Sequence, residues 1–443
     1  MNQASILLCT VGTGDKNKIE ETLLSPLKKS IHHGEWTKVI LLPSQETLQY
    51  AERLRSEVTD VVFEIHPLPL IKQEDDPDAC FAHFDQVLSD LIVGGATPAT
   101  LVADFTRGTK AMSAALVLAT VRHGLPKVRY LSGGRRDERG MVVSGTEIVT
   151  EVKTTIATAR RRLDDVLMFF RQGNFPAVIG LLTTTDRTDW PAQLGQEAIT
   201  LSQFAAFYAA WDRLDYTTAV KAADDPLFQS ANYSATTFAN VFAPTSEVVD
   251  WVKSLAADLP ATCQEKALPL RRLLVDLFSN GERRLRDHQY EDALLRAYRV
   301  LELLGQVRLF DRGYDSAALP PDDPQIKSFQ ETLIRKKSEP LTTSRKDGLL
   351  QAPREKVSRL LKHLGDEAFG QELISAAEFG EVKARSRNQS VLIHGFDAVA
   401  GSQQEPLIAL YQRLEQLIFT DTGLERTRTH LQLARFPNFG RSK

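Results

Sequence analysis

Short apolar runs separated by longer amphipathic stretches mark the first third of the chain. Ser5–Val11, Lys38–Leu42, Val61–Ile65, Thr100–Asp104 and Val128–Leu131 are brief and continuous, which suits parallel strands buried on both faces. Helical periodicity fills the gaps around Ile19–Ser30, Gln45–Val58, Phe81–Val93 and Lys110–His123, and Met141–Val149 predicts one more strand. Strands alternating with helices imply βαβ units and right-handed crossovers. Residues 1–150 therefore read as a Rossmann-like α/β domain.

After Glu151 the strand pattern stops and the rest reads as an all-α helical region. Phe170–Phe175, Trp211–Tyr216 and Arg286–Tyr290 are loosely alike: a helix end, a tight polar turn, and an aromatic that opens the next helix. They predict stacked helical hairpins. Helix corners in general also favour a polar turn followed by an aromatic, and three uneven copies do not make a solenoid. Gly313–Asp323 and Arg335–Gln351 read as loops. They either flank a site or only join helices.

The 443 residues suggest about three domains at roughly 150 residues each. Hydrophobic residues at 42% and charged residues at 25% exclude wholesale disorder and collagen-like repeats. Lys+Arg 54 against Asp+Glu 57 leaves −3, so no global field gathers nucleic acid and any such site is local. No apolar run approaches the ~18 residues needed to span a bilayer. Met1–Ser5 lacks the basic start of a signal peptide. Cys9, Cys80 and Cys263 lie far apart, which argues against a disulfide framework or a thiolate zinc site. His32-His33 is an adjacent pair and no His-x-x-x-His occurs, so no metal site is expected. A cytoplasmic protein with reduced thiols follows.

Three turns carry candidate chemistry. Gly12-Thr13-Gly14-Asp15-Lys16-Asn17 follows the first strand. It starts like a dinucleotide fingerprint, but Asn17 stands where a third Gly is needed and no acidic residue ends the second strand. What remains is a turn whose amides can approach an anion at a helix start, or a purely structural turn. Asp104-Phe105-Thr106-Arg107-Gly108-Thr109-Lys110 ends the fourth strand. Gly108 permits a close turn, Thr106 and Thr109 offer hydroxyls, and Lys110 opens a helix. This is not a P-loop, which needs Gly before the Lys and a hydroxyl after it, where Thr109 and Ala111 stand. Ser132-Gly133-Gly134-Arg135 follows the fifth strand at the same edge. Their convergence at strand carboxyl ends predicts a site for an anionic or nucleotide ligand.

A further motif lies near the C-terminus. In Arg387-Asn388-Gln389-Ser390-Val391-Leu392-Ile393-His394-Gly395, Arg387 and His394 are seven apart, two helical turns, and share a face. Gly395 reads as the helix stop. An imidazole moves protons near neutral pH and a guanidinium stabilises phosphorane charge, so the pair can serve phosphodiester chemistry. It also fits an ordinary solvated face. Arg354, Lys356, Arg359, Lys362, Lys383 and Arg385 precede the motif, and Arg426, Arg428 and Arg435 follow it. Such cations can hold phosphates. They can equally be balanced by Asp366, Glu367, Glu372, Glu378 and Glu381.

Gly12-Thr13-Gly14 taken with Asp104–Lys110 resembles the ligand face of CARF domains. Arg387-Asn388…His394 resembles the R-x(4–6)-H motif of HEPN ribonucleases, with six intervening residues. Residues 285–309, with Tyr290, Ala293, Tyr298-Arg299 and Leu301-Glu302, look like the leading HEPN helix. In this order in one chain, they resemble the CARF–HEPN ancillary ribonucleases of type III CRISPR systems. That resemblance implies a CARF-like ligand-sensing domain over residues 1–150, a helical spacer over 151–260 and a HEPN-like ribonuclease domain over 261–443. It implies a prokaryotic cytoplasmic homodimer with a cyclic oligoadenylate across its two-fold axis. Cyclic tetra-adenylate is the first expectation and cyclic hexa-adenylate the second. It further implies metal-independent, cofactor-free cleavage of single-stranded RNA in antiviral defence, by a composite site built from both chains. The RNA 2′-hydroxyl attacks the adjacent phosphate and leaves a 2′,3′-cyclic phosphate. Carried over residue by residue, Arg387 and His394 fall on the catalytic positions and Asn388 on the supporting one. Gly12, Thr13, Gly14, Asp15, Asn17, Thr106, Arg107, Gly108, Thr109, Lys110 and Gly133 fall on the ligand face. Arg107 stands where many CARF domains have a small residue, which leaves the ring size open. Two other readings compete. A non-enzymatic CARF-type sensor or transcriptional regulator lacks an evident basic recognition helix. A nucleotide-dependent enzyme acting in the α/β domain lacks the P-loop and dinucleotide fingerprints.

Overall fold

The computed structural model describes residues 5–135, 146–183, 190–226, 228–229, 239–383 and 404–437. The chain forms two compact units, Met1–Phe170 with Ala177–Ile199, and Arg171–Pro176 with Thr200–Lys443.

A six-stranded sheet organises the first unit, in the order β3-β2-β1-β4-β5-β6. Its strands are β1 (Ile6–Val11), β2 (Lys38–Pro43), β3 (Val62–Ile65), β4 (Leu101–Asp104), β5 (Lys127–Gly133) and β6 (Glu147–Lys153). The first five pair in parallel, where continuous apolar runs predict them. The sixth begins later than its predicted range and pairs antiparallel with β5, Gly133 opposite Glu147. Successive residues of a strand face opposite ways. Leu8, Ile40 and Ala103 therefore enter one apolar layer with Phe84, Met112 and Leu116. Leu7, Cys9, Val39 and Leu41 enter the other with Leu24, Leu27 and Leu54. These layers cover both faces of the sheet with α1 (Ser25–His32), α2 (Leu48–Glu57), α3 (Pro77–Val93) and α4 (Lys110–Arg122).

The helix predicted over Ile19–Ser30 divides in two. Glu20–Leu24 is a π-turn and α1 follows it. Pro26 has no N–H to donate, so the preceding turn widens and Ser25 N–H bonds Glu20 O, five residues back. The three cysteines are free thiols, with Cys9 and Cys80 buried. Burial pushes both thiols up, Cys80 to about 11.

Helices build the second unit, led by α10 (Cys263–Arg286) and α11 (Tyr290–Asp311). Earlier in the chain come α5 (Thr155–Gln172) and α6 (Phe175–Thr183), which fall mainly in the first unit, then α7 (Ala192–Asp212), α8 (Tyr216–Ala223) and α9 (Ser246–Ala256). All three predicted corners share one geometry. Gly173, Leu214 and His288 take φ of 73°, 62° and 60°, each two residues before the aromatic that opens the next helix. Asp215 N–H reaches back to Ala210 O at 3.0 Å, and Gln289 N–H to Arg284 O at 2.8 Å. These bonds close left-handed caps that end the preceding helices. The two predicted loops are one small structure: Leu319 and Leu350 exchange backbone bonds of 2.8 and 2.9 Å. Behind them lie α12 (Pro324–Arg335), α13 (Arg354–His363), α14 (Glu367–Lys383), α15 (Gln404–Thr422) and α16 (Leu424–Ala434).

Buried acids tie these helices together. Asp276 is fully buried and accepts from Trp211 Nε1 at 2.9 Å, Tyr216 Oη at 2.8 Å and Trp251 Nε1 at 3.3 Å. Burial pushes its carboxyl up. Asp421 holds Arg271 Nε at 2.8 Å, and Asp366 holds Arg308 Nε at 3.0 Å and Arg312 Nη2 at 2.8 Å.

One contact fixes how closely α10 meets α15. A Cβ on Gly281 would lie 1.9 Å from Tyr411 Oη, whose proton goes to Ala293 O at 2.8 Å. Gly281→Ala should therefore lower unfolding free energy in urea by about 1–3 kcal/mol, as overpacking does. Adding Tyr411→Phe removes the clashing oxygen and should restore part of the loss. A Gly281→Ala protein of unchanged stability would show that the helices separate freely.

Candidate functional site

The turns singled out by sequence do meet at one sheet edge. β1 and β4 are neighbours, with Cys9 opposite Asp104, so the segments that follow them run side by side. A Cβ on Gly12 would fall 2.6 Å from Gly108 Cα, and one on Gly108 would fall 3.0 Å from Thr10 Oγ1. Only two glycines permit this backbone approach. Gly133, the last residue of β5, closes the same edge opposite Glu147 of β6.

A buried carboxylate holds the edge in place. Asp104 Oδ1 accepts from Thr106 N–H at 2.8 Å and Oδ2 from Arg129 Nε at 3.2 Å, while Ser30 Oγ donates to Oδ2 as well. Asp104 is 1% exposed and Arg129 2%. Arg129 also donates to Ser30 O at 2.6 Å and lies 4.6 Å above the Trp36 ring. The sequence reading named Asp104 only as the start of a motif and passed over Arg129. An acid ending one buried strand beside an arginine in the next was the available signal.

Most candidate side chains on this edge have structural partners. Thr106 Oγ1 accepts from Leu131 N–H at 2.9 Å, tying the β4–α4 loop to β5. Thr109 caps α4, accepting from Met112 N–H at 3.2 Å and donating to Glu74 O. Asp15 accepts from Asn17 N–H at 2.9 Å, and its own N–H bonds Thr22 Oγ1 at 2.9 Å. Gly14 faces the same Thr22 hydroxyl, 2.8 Å from where its Cβ would be. Thr13 and Lys110 are exposed at the rim. Arg107 is half-buried, its Nε has no hydrogen-bond partner, and burial pulls its pKa down against the opposing pull of Glu147. The edge thus presents backbone amides, one hydroxyl and two cations, a set suited to an anionic ligand.

The second candidate site cannot be built in the same way. Arg387, Asn388 and His394 lie outside the described residues, as do Gly395 and Arg385. The helices on either side are described. α14 ends at Lys383, with Gly380 set against Tyr298 and Leu410 and with Arg413 4.3 Å over Phe379. α15 starts at Gln404, whose Oε1 accepts from Tyr290 Oη at 3.1 Å. Several predicted phosphate-holding cations are occupied elsewhere. Lys356 is buried and donates to Pro340 O at 2.8 Å; Arg359 pairs with Glu355 at 2.6 Å; Lys362 bonds Gln371 at 2.7 Å; Arg435 bonds Glu282 at 3.2 Å. Arg426 and Arg428 are exposed. Among the described residues no group of three or more His, Cys, Asp or Glu could hold a metal ion. None of their helices is long and apolar enough to cross a membrane.

Asp104→Ala should leave Arg129 buried without its charge partner and lower unfolding free energy by about 3–5 kcal/mol in urea. Asp104→Ala with Arg129→Met removes both charges and should recover much of the loss. A single variant as stable as wild type would show that other groups hold this edge.

A family model described as the Csm6 HEPN domain matches residues 263–418, a span that contains Arg387 and His394. A curated protein of Thermus thermophilus, "CRISPR system endoribonuclease Csm6", is 26% identical over 407 residues, covering 87% of this chain and 82% of that one. The solved structure of Enterococcus italicus Csm6 bound to cyclic hexa-2′-fluoro-hexa-dAMP shares the fold. Its TM-score is 0.53 at 12% identity, over 97% of this chain and 100% of the other. The α/β unit with its glycine-built strand edge, the helical unit and these likenesses together support the resemblance to CARF–HEPN ancillary ribonucleases.

Proposed function

We propose that the protein is an RNA endonuclease switched on by a cyclic oligoadenylate in type III CRISPR antiviral defence. The match of residues 263–418 to a HEPN domain carries this reading, because that span encloses Arg387 and His394 at two-turn spacing. The ligand is a ring of adenylates, four or six in number, held at the strand edge of the first unit. The ring bound in the Enterococcus italicus structure supports that ligand class. Phosphates of the ring meet backbone amides after β1 and β4, the Thr13 hydroxyl, and the charges of Arg107 and Lys110. A ring with two-fold symmetry suits an isologous dimer in which each chain supplies one such edge.

Cleavage needs no metal on this reading. The substrate's own 2′-hydroxyl attacks the adjacent phosphorus, and the bond to the 5′-oxygen breaks. His394 transfers the proton, Arg387 stabilises charge on the phosphorane oxygens, and Asn388 orients the pair. The products are a 2′,3′-cyclic phosphate and a 5′-hydroxyl. Each chain supplies one Arg…His pair, so two chains complete the site.

Cleavage of single-stranded RNA by the full chain, with and without cyclic tetra- or hexa-adenylate, tests the reading. Activity should appear only with a ring and should survive EDTA. It should fall by roughly 10²–10⁴ in His394→Ala and 10²–10³ in Arg387→Ala, with ring binding intact. Lys110→Ala should weaken ring binding by roughly 10- to 150-fold, since a hydrogen bond to a charged group contributes about 1.5–3 kcal/mol. Equal cutting by wild type and His394→Ala, or loss of activity in EDTA, would overturn the chemistry. Sedimentation should give twice 49.4 kDa. A fully active monomer would overturn the composite site.

A further inference from the structure

The helical unit holds a cavity of 330 Å³ between α11, α13 and α14. Leu301, Leu373 and Ile374 form apolar walls, and Arg354, Arg359, Glu355 and Glu378 supply the polar lining. Apolar walls with a few placed polar groups are the usual make-up of a small-ligand site. Arg354 lies with its guanidinium 5.2 Å over the buried Tyr298 ring. Arg359 and Glu355 are joined at 2.6 Å, and Glu378 is an exposed carboxylate on the neighbouring helix.

Two acids at the opening disfavour a bare phosphate, which carboxylates repel. The same groups complement the edge of a base. Unpaired RNA bases are read by stacking on aromatic rings or guanidinium planes and by hydrogen bonds to their edges. Guanine offers two adjacent donors, N1–H and the 2-amino group, to one carboxylate. Its O6 and N7 accept from a guanidinium. Adenine lacks that donor pair, so a carboxylate beside an arginine selects guanine.

We propose that this cavity binds a guanine base of the single-stranded RNA close to the cut, with Glu378 on the N1–H and 2-amino donors and Arg359 on O6 and N7. The proposal rests on the ribonuclease reading above. It also fits the length of chain available. Glu378 is five helical residues from Lys383, about 7.5 Å, and four more residues reach Arg387, at most about 14 Å. The covalent chain thus tethers Arg387 within about 22 Å of Glu378.

The test uses full-length protein, ring activator, and RNAs that differ only at one position beside the cut, carrying guanosine, inosine or adenosine. Inosine keeps O6, N7 and N1–H and lacks only the 2-amino group. Wild type should favour guanosine over inosine in kcat/KM by about tenfold or more, the effect of one hydrogen bond to a charged group. In Glu378→Gln that ratio should fall to near one. Glu378 is exposed, so this variant folds. Independently of cleavage, equilibrium dialysis with GMP and AMP should show GMP preferred by wild type and not by Glu378→Gln. RNA cutting with no difference among the three bases, or a guanosine preference kept in Glu378→Gln, overturns the proposal and leaves the nuclease reading intact. No cutting of any RNA, with no GMP preference in dialysis, overturns both.

Discussion

One buried carboxylate sets the geometry of the strand edge where the glycine turns meet. Asp104 ends β4 at 1% exposure, where an ionised group without full compensation is costly. Its compensation comes from three places in the sequence: Ser30 at the end of α1, Arg129 in β5, and the backbone of Thr106 in the loop that follows. The loop therefore cannot move without unpairing the acid. Its direction then brings Gly108 onto Gly12, and the two glycine turns become one surface. The fold uses an electrostatic requirement inside the sheet to fix the glycine turns at its rim.

The helical unit repeats this device with different partners. Asp276 meets three neutral donors, while Asp212, Asp366 and Asp421 meet arginines. Each acid joins helices that are distant in sequence; Asp421 and Arg271 are 150 residues apart. Several cations that look like a basic patch in the sequence also have partners within the same unit: Lys356 a backbone carbonyl, Arg359 and Arg435 acids, Lys362 an amide, while Arg426 and Arg428 stay exposed.

Much of the α/β architecture was legible because its signal is periodic. Five strands were readable as continuous apolar runs, since parallel strands buried on both faces show no alternation. β6 lies outside most of its predicted range because it is an edge strand, with Ile148 59% exposed, so its apolar pattern is weak. The π-turn at Glu20–Leu24 followed from Pro26, a residue whose effect on the preceding turn is visible only when hydrogen bonds are counted. The site was legible as residue types and not as roles. Thr106, Thr109 and Asp15 look like ligand groups in the sequence because hydroxyls and carboxylates that cap helices and close turns are the same groups that hold phosphates. Arg129 is harder to read because its partner, Asp104, is contributed by another strand, and only the strand order sets the two side by side.

The segment around Arg387 and His394 is the complementary case. Two-turn spacing alone fits an ordinary solvated face as well as chemistry, and the motif's resemblance singles it out; the structure describes the helices on either side of it. α14 delivers the chain to Lys383 after packing Gly380 and Phe379 against α11 and α15, and α15 takes it up at Gln404 beside Tyr290. Both anchors involve α11, the second helix of the hairpin that opens with α10, so entry and exit of the segment refer to one element. Closing a segment between fixed ends restricts where its residues can go, at an entropic cost that grows only slowly with length. The described helices that bound this segment are themselves held by buried acids and glycine contacts far from it in sequence, as Gly281 against Tyr411 and Asp421 against Arg271 show.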